Sequence, residues 1–410
     1  MWLVAFSLNG FFVYLGALDL AGVEPRTALT GAYYALLCGA LLATTWIRRK
    51  HLMRRVLRAP RLAVIFGVAA GILVAWHSLN TLLFSEGELA YRLAGLLVLW
   101  SLPTALAAAT FLLEDLRALA QGLATLATVF LIVVVVALAR ADEATLRFSP
   151  INELDAISAA LVPALGAVAA LFAWPGRPTL QLALTTALVG AAVLPGSRGP
   201  VVAMVAACLA VAVLWRMRGL AIVVALTLGI ALGSVASAHL GTLDYLSNVD
   251  VAGLSDDPTR EEGEPLSQPY STIAIRRQLF ETALSETPDR PIFGHGVGML
   301  VDNTPEAQLM DIAGERVYPH NTFIEAAHAL GAIGLVSFVV LVGAAGVALL
   351  LVVAKSGRLS LAGFLFGLGG FAFVSTNVSG AIGTDALLWV VAAAAVALYS
   401  DHARAPGLGV

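Results

Sequence analysis

The stretch Ala118–Ala139, ALAQGLATLATVFLIVVVVALA, contains no charged residue over 22 positions. A helix needs about 20 apolar residues to cross the hydrocarbon of a bilayer, and this stretch has that length. The rest of the chain is similar, because 59% of the 410 residues are hydrophobic and 12% are charged. A soluble protein carries about 25% charged residues. The composition therefore predicts a polytopic membrane protein.

Twelve apolar runs are long enough to be considered as membrane spans. They are residues 2–19, 28–47, 62–84, 92–113, 118–139, 156–174, 179–195, 200–215, 220–239, 326–354, 360–376 and 386–400. The first run lacks a basic segment before it, so we interpret it as a retained helix and not as a signal peptide. We predict an all-α fold with about 12 transmembrane helices.

The basic residues predict which side of the membrane each connection occupies. With twelve spans and a cytoplasmic N-terminus, 14 of the 24 Lys and Arg residues fall inside, and five fall in the short outside connections or at the outer end of a span. The densest basic segment, RRKHLMRRVLRAPR at 48–61, is then inside. Because cytoplasmic loops are enriched in Lys and Arg, we expect both termini in the cytoplasm and segment 48–61 against anionic lipid.

One connection is much longer than the others and divides the chain into three parts. Residues 1–239 carry the first nine spans, residues 240–325 form a large outer loop, and residues 326–410 carry the last three spans. Loops of this length in compact proteins are usually functional or disordered. We expect the loop to be a helical cap on the outer membrane surface.

Two helix signals and one acidic stretch lie within this loop. Ser271 can cap a helix that ends near Pro288, with Ile273, Arg277, Phe280 and Leu284 on one face. A second helix can begin at the sequence Thr-Pro-Glu at 304–306 and end at Gly314. Residues 250–264 hold six acids and are interpreted as solvated.

Other classes of function have little support in the composition. A net charge of −3 gives no reason to expect a nucleic-acid partner. The two cysteines, Cys38 and Cys208, lie inside apolar runs, so neither a disulfide framework nor a thiolate metal site is expected.

The first candidate group is Ser197-Arg198-Gly199, in a short connection between two apolar runs. Pro200 marks the start of the next helix. A guanidinium beside the N-terminus of a helix suits an anion, because the backbone N–H groups there lack partners. The alternative is an arginine that extends to lipid headgroups.

Two further groups lie in the long loop. Arg276 and Arg277 belong to the helix that follows Ser271, where an arginine pair can also be a solvated face or a lipid contact. The sequence Tyr318-Pro319-His320-Asn321 leads into the tenth span. An imidazole there can act as a general base, and Asn321 can cap the helix or orient a neighbour.

The remaining candidates have simpler explanations available. His295 lies between two glycines in a tight turn, and Asp385 can either cap the last span or pair with an arginine. Glu-Gly-Glu sequences at 86–88 and 262–264 are typical of solvated acidic turns. The chain has no Asp-x-Asp and no HExxH sequence, so no metal site is predicted.

The order of these motifs resembles the O-antigen ligase and O-antigen polymerase superfamily. The resemblance covers about residues 190–340, and the first half of the chain matches only as a generic helix bundle. The motifs are SRG at 197–199, RRQLFE at 276–281, PIFGHG at 291–296, PHNTFIE at 319–325 and GAIGL at 331–335.

The resemblance implies a GT-C-like integral-membrane glycosyltransferase in the bacterial inner membrane, with a periplasmic active site and no metal cofactor. It implies a donor glycan on undecaprenyl diphosphate and an acceptor sugar on the lipid A–core. Arg198 and Arg276 would hold the diphosphate, and His320 would be the catalytic base. Additional substrate-binding residues are expected among Ser197, Arg277, His295, Tyr318, Asn321 and Asp385.

Three other functions remain open at this point. A polymerase that joins repeat units, or a protein O-oligosaccharyltransferase, would use the same donor with a different acceptor. A secondary transporter or flippase would have polar residues and broken helices near the midplane and a repeat between its halves. No such repeat is evident, and the notable charges fall toward the outer surface.

Overall fold

The computed structural model describes most of the chain. The described residues are 1–10, 13–15, 27–140, 156–195, 197–215, 219–239, 272–301, 316–317, 319, 321–355, 359–379, 381–382, 385–403. The predicted second loop helix at 304–314 and the acidic stretch 250–264 lie outside these ranges.

Helices dominate the described residues. In chain order they are α1 (Trp2–Ala5, continued by a π-helical turn at Phe6–Gly10), α2 (Thr27–Ile47), α3 (Arg49–Leu57), α4 (Arg61–Phe84), α5 (Glu88–Leu96, continued by a π-helical turn at Leu97–Ser101), α6 (Leu102–Ala108), α7 (Asp115–Arg140), α8 (Ala156–Ala173), α9 (Pro178–Val193), α10 (Arg198–Leu214), α11 (Gly219–His239), α12 (Thr272–Glu286, followed by a 3₁₀ turn at Thr287–Asp289), α13 (Thr322–Lys355), α14 (Leu359–Ser379) and α15 (Ala386–His402). One short antiparallel pair, β1 (Leu300–Val301) and β2 (Arg316–Val317), lies before α13.

The predicted all-α polytopic membrane fold is confirmed. Six helices within the described ranges are long and apolar enough to cross a membrane, and five shorter apolar helices accompany them. These helices correspond to every predicted run except the first, 2–19, which extends outside the described residues. The helix that contains the tenth span, α13, starts at Thr322 and not at 326.

Close helix packing builds the centre of the bundle. Helix α7 packs on α8, α9 on α11, α10 on α14, and α13 on α4. At the α9–α11 crossing, a Cβ on Gly233 would lie 2.6 Å from the Gly190 carbonyl oxygen. Small residues four apart let two helices approach closely in lipid, where van der Waals packing replaces the hydrophobic effect. Gly229 and Gly233 have that spacing and both face α9.

The outer surface of the bundle is apolar. Large side chains such as Leu36, Val213 and Leu220 are each more than three-quarters exposed. In water these positions would be costly, since each buried aliphatic side chain is worth about 1.5–3 kcal/mol. They are therefore the surface that lipid covers.

Helix α13 is broken near its start. Gly331 has φ 63° and ψ −161°, so Thr322–Leu330 and the rest of α13 are two helical segments separated by a kink. A φ in the left-handed region is easily adopted only by glycine. The first nine residues of α13 pack on α12, and the later part is long and apolar enough to cross a membrane.

Helix α12 confirms the loop helix predicted from Ser271 to about Pro288. Its buried face differs from the predicted one, because Leu279 and Ala283 are buried with Leu300 of β1, whereas Leu284 is 55% exposed. Arg276 lies on the same side as Leu279 and Ala283, by the three-to-four-residue spacing of a helix.

Candidate active site

One end of the bundle collects most of the polar side chains predicted from the sequence. We call it the loop end, defined by the C-terminus of α14 and the N-termini of α10, α13 and α15. Its centre is the last turn of α14, from residue 376, together with the connection to α15, of which the structure describes residues 381–382 and 385.

Arg276 is held at the end of α14. Its Nη1 donates a hydrogen bond to the carbonyl oxygen of Val378 at 2.7 Å. The last carbonyls of a helix carry partial negative charge and lack partners within the helix, so a guanidinium is favourable there. The bond fixes α12 against α14.

Asn321 links the start of α13 to the same connection. Its Oδ1 accepts hydrogen bonds from the backbone N–H groups of Phe323 and Ile324 at 3.0 and 3.1 Å, which is an N-cap. Its Nδ2 donates to the carbonyl oxygen of Asn377 at 3.1 Å. Thr322 adds a bond from Oγ1 to the Thr376 carbonyl oxygen at 2.9 Å.

Asp385 caps the last helix and also contacts α14. Its Oδ1 accepts from the backbone N–H of Leu388 at 3.2 Å, and its Oδ2 accepts from the Thr376 hydroxyl. Withdrawal from water raises the pKa of the Asp385 carboxyl to about 7, although the bond from Leu388 lowers it in part. A carboxyl with such a pKa can exchange a proton near neutral pH.

Glu325 is a residue that sequence reasoning did not select. It is 3% exposed, and its Oε2 accepts from the backbone N–H of Ile382 at 2.8 Å. Its position four residues after Asn321 places it on the same face of α13, and this spacing is the signal that could have identified it. Glu325 and Asn321 thus hold both parts of the α14–α15 connection.

Arg198, the first residue of α10, lies at the same height along the bundle as the end of α14. Gly370 lies against Ala207, because a Cβ on Gly370 would be 3.8 Å from the Ala207 Cα, and Gly367 lies against Val211, because a Cβ on Gly367 would be 2.8 Å from the Val211 Cγ2. The residue numbers of the contacting pairs run in opposite directions, so α10 and α14 are antiparallel. Arg198 is nine residues before Ala207, or about 13–14 Å along the axis. Because the two helices are antiparallel, nine residues toward the start of α10 correspond to nine residues toward the end of α14. Counting from Gly370, this gives position 379, so Arg198 lies beside the end of α14.

Ser197, Arg277, Tyr318 and His320 were also predicted to contribute to the site. Ser197 is buried and occupies the N-cap position of α10 without a side-chain capping bond. Arg277 points to solvent with its side chain 73% exposed, and its Nε donates to Glu281 at 2.8 Å. Tyr318 and His320 lie outside the described residues.

His295 belongs to a second cluster at the far end of α12. Its Nε2 donates to the carbonyl oxygen of Glu286 at 2.7 Å. Glu286 is ten residues after Arg276, about 15 Å along the helix. The structure therefore does not bring His295 to the loop-end connection.

The turn at 291–296 docks onto the break in α13. The backbone N–H groups of His295 and Gly296 donate to the carbonyl oxygens of His328 and Ala329 at 2.9 and 3.1 Å. In return, Ala332 N–H donates to the Pro291 carbonyl oxygen at 2.8 Å. The PIFGHG and GAIGL motifs are therefore contacting partners.

Residues 182–339 match the family model described as O-antigen ligase. The resemblance to the O-antigen ligase superfamily is confirmed. The matched O-antigen ligase segment contains Arg198, Arg276 and Asn321 and ends within α13. Thr376 and Asp385, which complete the loop end, come from helices beyond that segment. No curated protein matches the chain.

Proposed function

We propose that the chain is an O-antigen ligase that transfers a glycan from undecaprenyl diphosphate to the lipid A–core. One observation carries the proposal: Arg198, Arg276 and the N-termini of α10, α13 and α15 meet at one end of a membrane bundle. Helix N-termini and guanidinium groups together form a strong anion site. A diphosphate that carries a lipid tail is an anion that this position suits.

The positive charge of the two guanidinium groups and of the helix N-termini would stabilise the leaving diphosphate. Breaking the bond between the sugar and the diphosphate develops negative charge on the leaving oxygen. Fixed guanidinium groups and helix ends stabilise that charge more in the transition state than in the bound substrate, which lowers the barrier. We propose that this stabilisation replaces a metal ion in the transfer.

A base is required for the acceptor. The acceptor hydroxyl oxygen attacks the anomeric carbon, the bond to the diphosphate oxygen breaks, and the hydroxyl proton must leave. His320 is the proposed base because it directly precedes Asn321, which is anchored to Asn377. A single displacement of this kind inverts the anomeric carbon. Asp385 is proposed to bind the glycan or to assist the proton transfer.

The proposed location follows from the substrates. Lipid-linked O-polysaccharide and lipid A–core are available together at the periplasmic face of the bacterial inner membrane. We propose that the loop end faces the periplasm and that both termini are cytoplasmic, consistent with the bias of Lys and Arg residues. Both substrates would reach the site from the bilayer.

The test is transfer by purified protein in nanodiscs with undecaprenyl-diphosphate glycan and lipid A–core. We expect Arg198→Ala, Arg276→Ala and His320→Ala each to lower the rate at least about 100-fold, since one oxyanion-stabilising donor is worth about 10²–10³ in rate. Arg277→Ala is the matched control, because Arg277 points to solvent beside Arg276. It should retain wild-type rate.

Two results would change the proposal. Wild-type rates in all three site variants would remove the assigned site. Elongation of the lipid-linked glycan without transfer to lipid A–core would identify a polymerase in place of a ligase. Acceptor choice is read from the product, so this outcome is separate from the site assignment.

A further inference from the structure

We propose that Glu286, His295 and His328 bind a Zn²⁺ ion at the junction of α12, the 291–296 turn and α13. One ring nitrogen from each histidine and one carboxylate oxygen of Glu286 all lie within 4.8 Å of one another. Three ligand atoms around one zinc ion are about 3–4 Å apart, because each bond is about 2.0–2.2 Å long. Small side-chain movements bring the three atoms to these distances.

The two imidazole rings are stacked against each other. Their rings are parallel to within 5°, with centroids 4.7 Å apart. A backbone hydrogen bond from His295 N–H to the His328 carbonyl oxygen, 2.9 Å long, joins the two residues. Both rings are therefore within reach of one ion, and rotation about their side-chain bonds would aim one nitrogen of each at it.

Hydrogen bonds also orient the individual ligands. A carbonyl oxygen can only accept, so the contact between His295 Nε2 and the Glu286 carbonyl oxygen requires a proton on Nε2. The neutral ring then presents Nδ1 as the ligand atom. Metal-binding histidines commonly donate their other N–H to a backbone carbonyl in this way. His328 Nε2 lies 2.8 Å from Glu286 Oε2, and the zinc ion would take the place of the proton between these two atoms.

The site is accessible but partly enclosed. The His328 side chain is 2% exposed, whereas that of Glu286 is 42% exposed. Water can therefore reach the carboxylate and supply a fourth ligand. Two histidines, one glutamate and one water complete the tetrahedral set that zinc favours.

The ion would stabilise the position of α12 and would take no part in the transfer. Glu286 ends α12, and Arg276 lies about 15 Å earlier on the same helix. A bond from Glu286 to His328 through zinc would fix the far end of the helix against α13. The sequence did not predict this site because its three ligands lie in three separate segments.

The experiment measures zinc itself, without glycan substrates. The protein is purified without a histidine tag, dialysed against chelator and titrated with ZnCl₂, and bound zinc is counted by mass spectrometry. We expect one zinc per wild-type chain, and at least a 100-fold weaker affinity for His295→Gln and Glu286→Gln. His51→Gln is the matched control, since His51 is exposed on α3 and distant in sequence from the cluster.

Two further measurements distinguish loss of the zinc site from misfolding of a variant. In chelator, the circular dichroism and unfolding temperature of His295→Gln should equal those of wild type, and only wild type should gain thermal stability on adding zinc. Tetrahedral Co²⁺ absorption should appear in wild type alone. Absence of zinc binding by wild type, or equal loss in His51→Gln and His295→Gln, would overturn the site. Failure of the transferase assay leaves it unaffected.

Discussion

At the scale of single residues, Asp385 has the most distinctive environment of the loop end. It accepts from Leu388 on its own helix and from the Thr376 hydroxyl on α14, so it fixes the angle between the last two helices. A carboxyl that leaves water favours its neutral form. Its protonation should therefore influence stability.

We expect the stability contributed by Asp385 to fall as the pH rises. Its pKa is about 7 in the folded chain and 3.8 in the ordinary state, so the folded state holds a proton that the unfolded state releases. Between these values, stability decreases with rising pH. The difference in unfolding temperature, wild type minus Asp385→Asn, should decrease from pH 4 to pH 8. A difference that stays constant would contradict the raised pKa.

The residues of the site were partly accessible from the sequence. Arg198, Arg276 and Asn321 stand out because a polar group beside an apolar run is costly and needs a reason. Their partners do not stand out. Arg276 and Asn321 bind the backbone carbonyls of Val378 and Asn377, and a carbonyl has no side-chain signature in a sequence.

At the scale of elements, the contact between the 291–296 turn and the break in α13 depends on residues far apart in the sequence, so the local sequence of either segment does not predict it. A Cβ on Gly294 would overlap the Ala329 carbonyl oxygen, and one on Gly331 would overlap the Ile292 carbonyl oxygen. Both glycines have positive φ values, 77° and 63°. The turn and the broken helix therefore fit only while both positions lack a side chain.

Gly294→Ala should lower the free energy of unfolding by at least about 2 kcal/mol. The left-handed backbone alone costs roughly 1–2 kcal/mol for a residue with a Cβ, and the clash with Ala329 adds to it. Gly343→Ala is the control in α13, because a Cβ at that position would meet no other atom within 4 Å. It should stay within about 1 kcal/mol of wild type. Thermal unfolding in detergent measures both, and equal losses would refute the docking.

Apolar runs predict helices well, because hydrocarbon leaves the backbone few alternatives to internal hydrogen bonding. Irregularities within the helices were not predictable in the same way. The π-helical turns at Phe6–Gly10 and Leu97–Ser101 contact each other through Trp100 and Ser7, and the break at Gly331 receives the 291–296 turn. Hydrophobicity along the chain carries no record of those contacts.

At the scale of the whole molecule, Arg55 connects three distant parts of the chain at the end opposite the loop end. Its guanidinium is 7% exposed and donates to the Ala109 and Phe111 carbonyl oxygens at 2.5 and 2.6 Å. It also pairs with Asp401 near the end of α15. Sequence reasoning placed segment 48–61 against lipid headgroups, and for Arg55 the structure instead shows a buried contact with protein.

Arg55→Ala should lower the free energy of unfolding by about 1–3 kcal/mol, since two buried carbonyl groups lose their donor. Arg54→Ala is the control, because Arg54 is exposed on the same short helix. A surface substitution of this kind changes stability by less than about 0.5 kcal/mol. Chemical denaturation in mixed micelles would compare the two variants, and equal stability would show that the Arg55 contacts contribute nothing.

The hydrogen bonds across the break in α13 also limit where a segment of this protein can be exchanged for that of a relative in a chimera. The N–H groups of Ala332 and Ile333 depend on acceptors in the 291–296 turn, and the carbonyls of His328 and Ala329 depend on its donors. A chimera that exchanges the loop at residue 325 would separate these groups from the turn that pairs them, and an unpaired backbone group in an apolar environment costs several kcal/mol. The exchanged piece must therefore continue past Ile333, so that the turn and the bend are inherited together.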